Sequence, residues 1–215
     1  MTDTVALSQV EALTAIEAPH ALCLRNERGA VVAGEGWRWI GPTSSEDESL
    51  LDRVVAPVLD IGCGPARHLL ALALRGIEGL GLDVTPSAVR LARSRGAAVV
   101  EGSIFAPVPS SGSWGTALLL DGNIGIGGDP VSLLARVEEI LRPGGRILVE
   151  LGSPDTAGGT ERARVDHDAA TGPWFDWTVV SAASIAGIAL DAGLEVTDSW
   201  SAGGRWFAQI DTAAT

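Results

Sequence analysis

This chain contains no lysine and no tyrosine. The first absence removes a large class of nucleotide sites, because a Walker phosphate loop needs Gly-Lys-Ser/Thr. All 15 cationic side chains are arginine, against 27 Asp and Glu, and the formal net charge is −12. The arginines form no contiguous basic patch, whereas a nucleic-acid substrate calls for clustered phosphate-neutralising cations. No apolar run approaches the ~20 residues of a membrane helix. Met1-Thr2-Asp3-Thr4 lacks the basic stretch and apolar core of a secretory signal. Two cysteines, Cys23 and Cys63, are too few for a disulfide framework, so a reducing cytoplasm is the expected compartment. No internal repeat, low-complexity tract or metal-ligand set is visible. With 215 residues the chain is expected to bury about 70% of its unfolded surface in one core.

What is present is a strand, a glycine turn and a helix in close succession. Val58-Leu59-Asp60-Ile61 reads as a buried strand, Gly62-Cys63-Gly64 as a tight turn, and Ala66, Leu69, Leu70 and Ala73 as the apolar face of a helix closed by Gly76. A second strand, Ile77 to Asp83, ends on an acid 21 positions after Gly62, about the spacing at which a carboxylate meets ribose hydroxyls in such folds. Thr85-Pro86 opens a helix that runs to Gly96. Strands follow at Ala97–Glu101, Trp114–Leu120 and Arg146–Leu151. A helix begins at Asp129-Pro130 and ends at Leu141-Arg142-Pro143-Gly144-Gly145, and another spans Ser181–Ala192. Leu194–Trp200 and Arg205–Ile210, joined by four residues, predict an antiparallel hairpin. Residues 1–45 read as an N-terminal extension, with a helix ending near Pro19 and a hairpin around Asn26-Glu27-Arg28-Gly29, and Ser45–Val54 as a helix leading into the first core strand.

Asp60-Ile61-Gly62-Cys63-Gly64 closely resembles motif I of the class I S-adenosylmethionine-dependent methyltransferases. Leu141 to Gly145 matches that family's L-x-P-G-G turn before its fifth strand, and the terminal hairpin matches its reversed seventh strand. Asp121-Gly122-Asn123-Ile124-Gly125-Ile126-Gly127-Gly128-Asp129-Pro130 resembles a stretch found in a group of small actinobacterial members; arginine without lysine, with abundant Ala and Gly, fits a GC-rich bacterial genome. The resemblance covers roughly residues 46–211 and implies an α/β, Rossmann-like seven-stranded sheet with helices on both faces. It also implies that Asp60, Gly62, Cys63 and Gly64 hold the methionine end of S-adenosylmethionine and that Asp83 and Val84 hold its ribose. Ser103 and Ile104 would flank the adenine, and Asp121 and Gly122 would lie near the reactive methyl. Arg67 stands where a dinucleotide turn wants a small residue.

The resemblance implies methyl transfer to a small-molecule acceptor, on oxygen or nitrogen. A non-catalytic S-adenosylmethionine-binding module and a nicotinamide-dependent oxidoreductase are the competing readings. His167 and Asn123 are the candidate catalytic residues, although His167 also reads as a solvated loop histidine and Asn123 as a turn former. Trp37, Trp39, Trp174 and Trp177 are candidate substrate walls, with packing of the extension onto the core as the other reading. The glycine-rich run 122–128 is expected to lie close against cofactor or substrate. Arg25, Arg38, Arg162, Arg164 and Arg205 are candidates for binding an acidic acceptor, or surface ion pairs. Glu150 reads as a base candidate or as support for the sheet edge. Residues 1–45 would cap the site or make dimer contacts, leaving monomer and homodimer both open.

Overall fold

The computed structural model describes residues 23–33, 36–167 and 170–214. The helix expected to end near Pro19 lies outside the described residues. Five strands run parallel at the centre: β3 (Val58–Ile61), β4 (Gly79–Asp83), β5 (Val99–Glu101), β6 (Trp114–Leu119) and β7 (Leu141–Leu151). The hairpin β11 (Glu195–Ala202) and β12 (Arg205–Asp211) extends this sheet, and β12 pairs antiparallel with β7. The order is β11-β12-β7-β6-β3-β4-β5. The expected seven-stranded sheet with a reversed strand next to its edge is therefore present.

Strand alternation divides the core between the two faces of the sheet. Leu59, Ile61, Ala117, Leu119, Ile147 and Val149 face one cluster, joined by Leu133, Leu134, Val137 and Ile140 of α5 (Pro130–Ile140) and by Ile185 and Ala189 of α6 (Ile185–Asp191). Val58, Leu118, Leu120 and Leu148 face the other, against α2 (Ser45–Leu51), α3 (Arg67–Leu74) and α4 (Pro86–Ser94). Local chemistry starts these helices. Ser44 and Asp47 form a reciprocal capping box on α2. Asp129 accepts from the N–H of Ser132 at 3.1 Å, and Pro130 fills the first turn of α5.

A second, antiparallel sheet lies over the C-terminal ends of the central strands. It has the order β10-β8-β1-β2 and joins β1 (Cys23–Asn26) and β2 (Val31–Ala33) to β8 (Gly159–His167) and β10 (Phe175–Val179); β9 (Ala170–Thr171) pairs with β8. The short helix α1 (Gly36–Ile40) follows β2. Leu24, Ala163 and Trp177 are buried together in this roof, with Val32, Trp39, Val165 and Phe175 packed around them. The roof draws on both the N-terminal segment and the chain after β7.

The glycine-rich run is where the two sheets touch. Ile126 forms an antiparallel bridge with Trp177. A Cβ on Gly125 would lie 2.2 Å from the carbonyl oxygen of Thr178, and one on Gly128 2.7 Å from Cβ of Asp176. The close approach made by these two glycines is to β10. Because backbone cannot yield as a flexible side chain can, Gly125→Ala is expected to cost about 1–3 kcal/mol. Thermal unfolding should show a Tm several degrees below wild type, with increased proteolysis within 159–179.

Candidate active site

The glycine turn places its backbone by means of two neighbours. Gly62 N–H donates to Leu82 O at 2.7 Å, and the Asn123 side-chain amide donates to Ile61 O at 2.8 Å and Gly62 O at 3.0 Å. A Cβ on Gly62, at φ +71°, would meet that amide at 2.7 Å, whereas nothing lies within 4 Å of one built on Gly64. Space therefore opens at Gly64. Across the turn, Asp83 accepts from Gly64 N–H and Thr85 N–H, each at 2.8 Å. Burial pushes the Asp83 carboxyl above the ordinary carboxylate range, against the pull of those two N–H groups. Asp60 is 1% exposed, and its Oδ2 has no hydrogen-bond partner among the described residues.

These groups border one cavity of about 530 Å³ between the central sheet and the roof. Asp60, Gly62, Cys63, Gly64, Asp83 and Val84 form one part of its wall, Ser103 and Ile104 another, and Asp121 and Asn123 a third. Trp39 and Trp177 face it from the roof. Leu24, Val165 and Phe175 share that apolar surface; sequence reasoning missed them, and the Phe175/Trp177 alternation was the available signal. Arg136 holds the Ser103–Ala106 loop by donating to Ile104 O at 3.1 Å and Ala106 O at 3.0 Å.

Several expectations change. Gly122 and Trp174 do not line the cavity. Gly122 shapes the turn after β6 at φ +85°, and the Trp174 ring lies under the Arg164 guanidinium at 4.6 Å. The Ser103 hydroxyl accepts from Phe105 N–H at 3.2 Å, capping its own loop. Burial, with Asp60 and Asp83 nearby, pushes the Cys63 thiol far up, so no thiolate nucleophile is available there. The side chains of His167 and Trp37 lie outside the described residues; the backbone puts His167 at the end of β8 and Trp37 in α1.

Beneath the cavity runs a buried charge ladder that sequence reasoning did not find. Arg67 bonds Asp47 through Nη1, and Asp121 at 2.8 and 2.9 Å through Nη2. Arg205 bonds Asp47 at 2.6 Å and clamps Glu150 in a fork at 2.7 and 2.8 Å. Glu150 also accepts from Asp121 N–H at 2.9 Å, and Arg38 approaches it to 3.6 Å. Arg205 is thus no surface cation, and Glu150 is committed to the ladder. Arg25 donates to Gly29 O at 2.7 Å, and Arg162 is exposed on β8.

His68 connects this ladder to the cavity. Its Nε2 lies 3.6 Å from Asp47 and its Nδ1 3.7 Å from Asp60, distances of ionic contact rather than of hydrogen bonds. Burial alone would lower its pKa, but the two carboxylates outweigh burial and raise it from the ordinary 6.5 to about 9. Burial would likewise raise Asp47, yet His68 and Arg67 hold it well below the usual carboxylate range.

Residues 58–145 match the family model described as a methyltransferase domain. Over 123 residues the chain is 31% identical to trans-aconitate 2-methyltransferase of Paracidovorax citrulli (strain AAC00-1), which covers 55% of this chain and 46% of that protein. The chain spans about half the length of this curated relative. Its fold is similar to that of a SAM-dependent methyltransferase from Bacteroides fragilis in complex with S-adenosyl-L-homocysteine. The TM-score is 0.77 at 19% identity, covering 98% of this chain and 95% of the other. It is also similar to SAM-bound CalS10, an amino pentose methyltransferase from Micromonospora echinaspora involved in calicheamicin biosynthesis. Here the TM-score is 0.59 at 19% identity, with coverages of 82% and 94%.

Asp60 lies on β3 and His68 lies beside it, so His68 ties the stability of this region to pH. A raised folded-state pKa adds stability that is complete below about 6.5 and lost as pH rises through about 9. Wild type should therefore lose more Tm between pH 7 and pH 10 than His68→Gln does. Parallel scans of the two proteins check this; equal losses would mean His68 carries no excess proton.

Proposed function

We propose that this chain is a methyltransferase that moves the methyl group of S-adenosylmethionine to a small-molecule acceptor, at nitrogen or oxygen. The observation that carries this reading is the corner itself. A buried Asp60 carboxylate, whose Oδ2 makes no hydrogen bond and has His68 only at 3.7 Å, and the two-oxygen acceptor Asp83 flank a glycine turn with open space at Gly64, under an apolar roof. The solved relatives carrying S-adenosylmethionine or its demethylated product share this fold and support the choice of cofactor.

The residues present fit that cofactor. Asp60 supplies the missing partner for an ammonium group. Asp83 keeps lone pairs beyond those used by Gly64 and Thr85, and can accept from two ribose hydroxyls. Helix α3 starts without a side-chain cap, so its first-turn N–H groups suit a carboxylate. Ile104 and the Ser103 loop form a wall against which the adenine can lie, fastened by Arg136. When bound, the cofactor supplies a methyl activated by a sulfonium, whose S–C electron pair stays on sulfur as the acceptor's lone pair forms the new bond.

The protein's part is orientation and exclusion of water. Asn123 holds the turn through two carbonyls, and the roof residues Leu24, Trp39, Val165, Phe175 and Trp177 shield the cavity. Asp121 and Glu150 are held in ion pairs with Arg67 and Arg205. His167, at the end of β8, is the base we propose for acceptors that arrive protonated. Leu24 and Trp39 bring the N-terminal segment into the cavity's cover.

Isothermal calorimetry with S-adenosylmethionine and S-adenosylhomocysteine tests the reading. Wild type should bind both, and Asp83→Ala should weaken binding by roughly 10–100-fold, the loss expected for hydrogen bonds to a charged acceptor. A well-folded wild type that binds neither would sink the proposal.

A further inference from the structure

The chain's supply of cations limits what the cavity can take as acceptor. There is no lysine, and all 15 arginines fall among the described residues. Of these, Arg67 borders the cavity, and its terminal nitrogens are taken by Asp47 and Asp121. Arg38 lies against Glu150 and Asp121, Arg95 donates to Pro65 O at 3.2 Å and Ile40 O at 3.0 Å, and Arg164 lies over the Trp174 ring. None of these three borders the cavity. His68 does, but its ring nitrogens lie between Asp47 and Asp60. His167, in the role of base, is neutral before it takes a proton and so offers an anion no charge. An acidic acceptor would lose its hydration here and meet no free cation among the described residues.

The carboxylates are committed in the same way. On the cofactor reading, Asp60 and Asp83 serve the ammonium and the ribose, and Asp121 stays with Arg67. Asp176 stands between Phe175 and Trp177, so strand alternation turns it to the opposite face of β10. There it is exposed, beside Gly128 and with Arg162 as its cross-strand neighbour. An ammonium group on the acceptor therefore finds no counter-charge among the described residues either.

What remains of the wall is apolar: Leu24, Trp39, Val165, Phe175 and Trp177. The rings of Phe175 and Trp177 meet edge to face, with centroids 6.0 Å apart and planes at 67°. Such a corner suits the face or edge of another flat ring. The cavity of about 530 Å³ has to hold the cofactor as well, which keeps the acceptor small.

We propose that the acceptor is a small, uncharged aromatic molecule seated on the roof residues, and that acids and ammonium compounds are both refused. This rests on the methyltransferase reading above. The nucleophile is a hydroxyl oxygen or a neutral nitrogen. Its lone pair makes the new bond to the methyl carbon as the S–C pair moves to sulfur, and the proton on that atom passes to the base and then to solvent.

The test uses the full chain saturated with S-adenosylhomocysteine and two sets of probes that share ring and linker. 2-Phenylethanol is compared with phenethylamine and 3-phenylpropionate, and tryptophol with tryptamine and indole-3-propionate, by calorimetry. The expected result is that the alcohol of each set binds at least roughly 10-fold more tightly than the acid and the amine. Trans-aconitate, a tricarboxylate, should gain no methyl from S-adenosylmethionine by mass spectrometry. Val165→Arg places a free cation in the roof, and in variant protein that still binds S-adenosylhomocysteine it should raise acid binding relative to alcohol by roughly 10-fold. An acid or amine that binds as well as its alcohol would overturn the proposal. So would methyl gain on trans-aconitate, failure of both alcohols to bind the loaded protein, or a Val165→Arg ratio equal to wild type. If S-adenosylhomocysteine itself does not bind wild type, the cofactor reading fails instead.

Discussion

One buried carboxylate, Asp47, organises the active end of this protein. It receives Arg67 from α3 and Arg205 from β12, and His68 lies alongside. Through the two arginines it reaches Asp121 after β6 and Glu150 on β7. Four elements that come together only in the folded chain thus share one set of charges. Replacing such a set by apolar residues of similar volume is often neutral for stability, while removing one member costs about 3–5 kcal/mol because a charge is left unpaired. The ladder therefore fixes where these elements sit more than it adds net stability.

Its position explains two pieces of unusual backbone. Ala66 and Asp121 hold positive φ, at 68° and 54°, without being glycine, a conformation that costs roughly 1–2 kcal/mol each. They flank the Arg67–Asp121 pair: Ala66 immediately precedes Arg67, and Asp121 is its partner. The ion pair holds both turns in the conformation that aims Asp121 and the start of α3 at the cavity. Ala66, which occupies a place often taken by glycine in the resembled family, is tolerated because its neighbour's guanidinium over-determines the turn.

The central sheet was legible because its signals are local. Alternating apolar residues, a glycine turn, Pro at helix starts and an acid at a strand end each constrain a few neighbouring residues, and they fall in the observed order. The roof was not legible in this way. Asn26 of β1 bonds Glu161 of β8, a pairing across 135 positions, and nothing near either residue announces it. The ladder failed to show for the same reason. Asp47, Arg67 and Arg205 lie far apart in the chain, on a helix, just after the glycine turn and at the start of a strand, and only the tertiary fold reveals that they face one another. The glycine-rich run was half legible: its freedom called for a close approach, and Gly125 and Gly128 make it to β10, while Gly127 borders the cavity.

On the function proposed above, the two layers divide the work that methyl transfer requires. Such a reaction needs alignment and dryness more than acid–base chemistry, since the donor is already activated. Alignment calls for fixed polar groups, and fixed polar groups in a dry place must be satisfied or they are costly. Here the ladder pairs its charges below the cavity and leaves Asp60 Oδ2 without a hydrogen bond, while the roof contributes apolar surface above. Polarity thus enters the cavity mainly at the cofactor corner. An all-apolar floor could not orient a charged cofactor, and a polar roof would admit water. Placing the ladder under the sheet's end and the aromatics above it meets both requirements with one connection, the glycine-rich run that lets the layers touch.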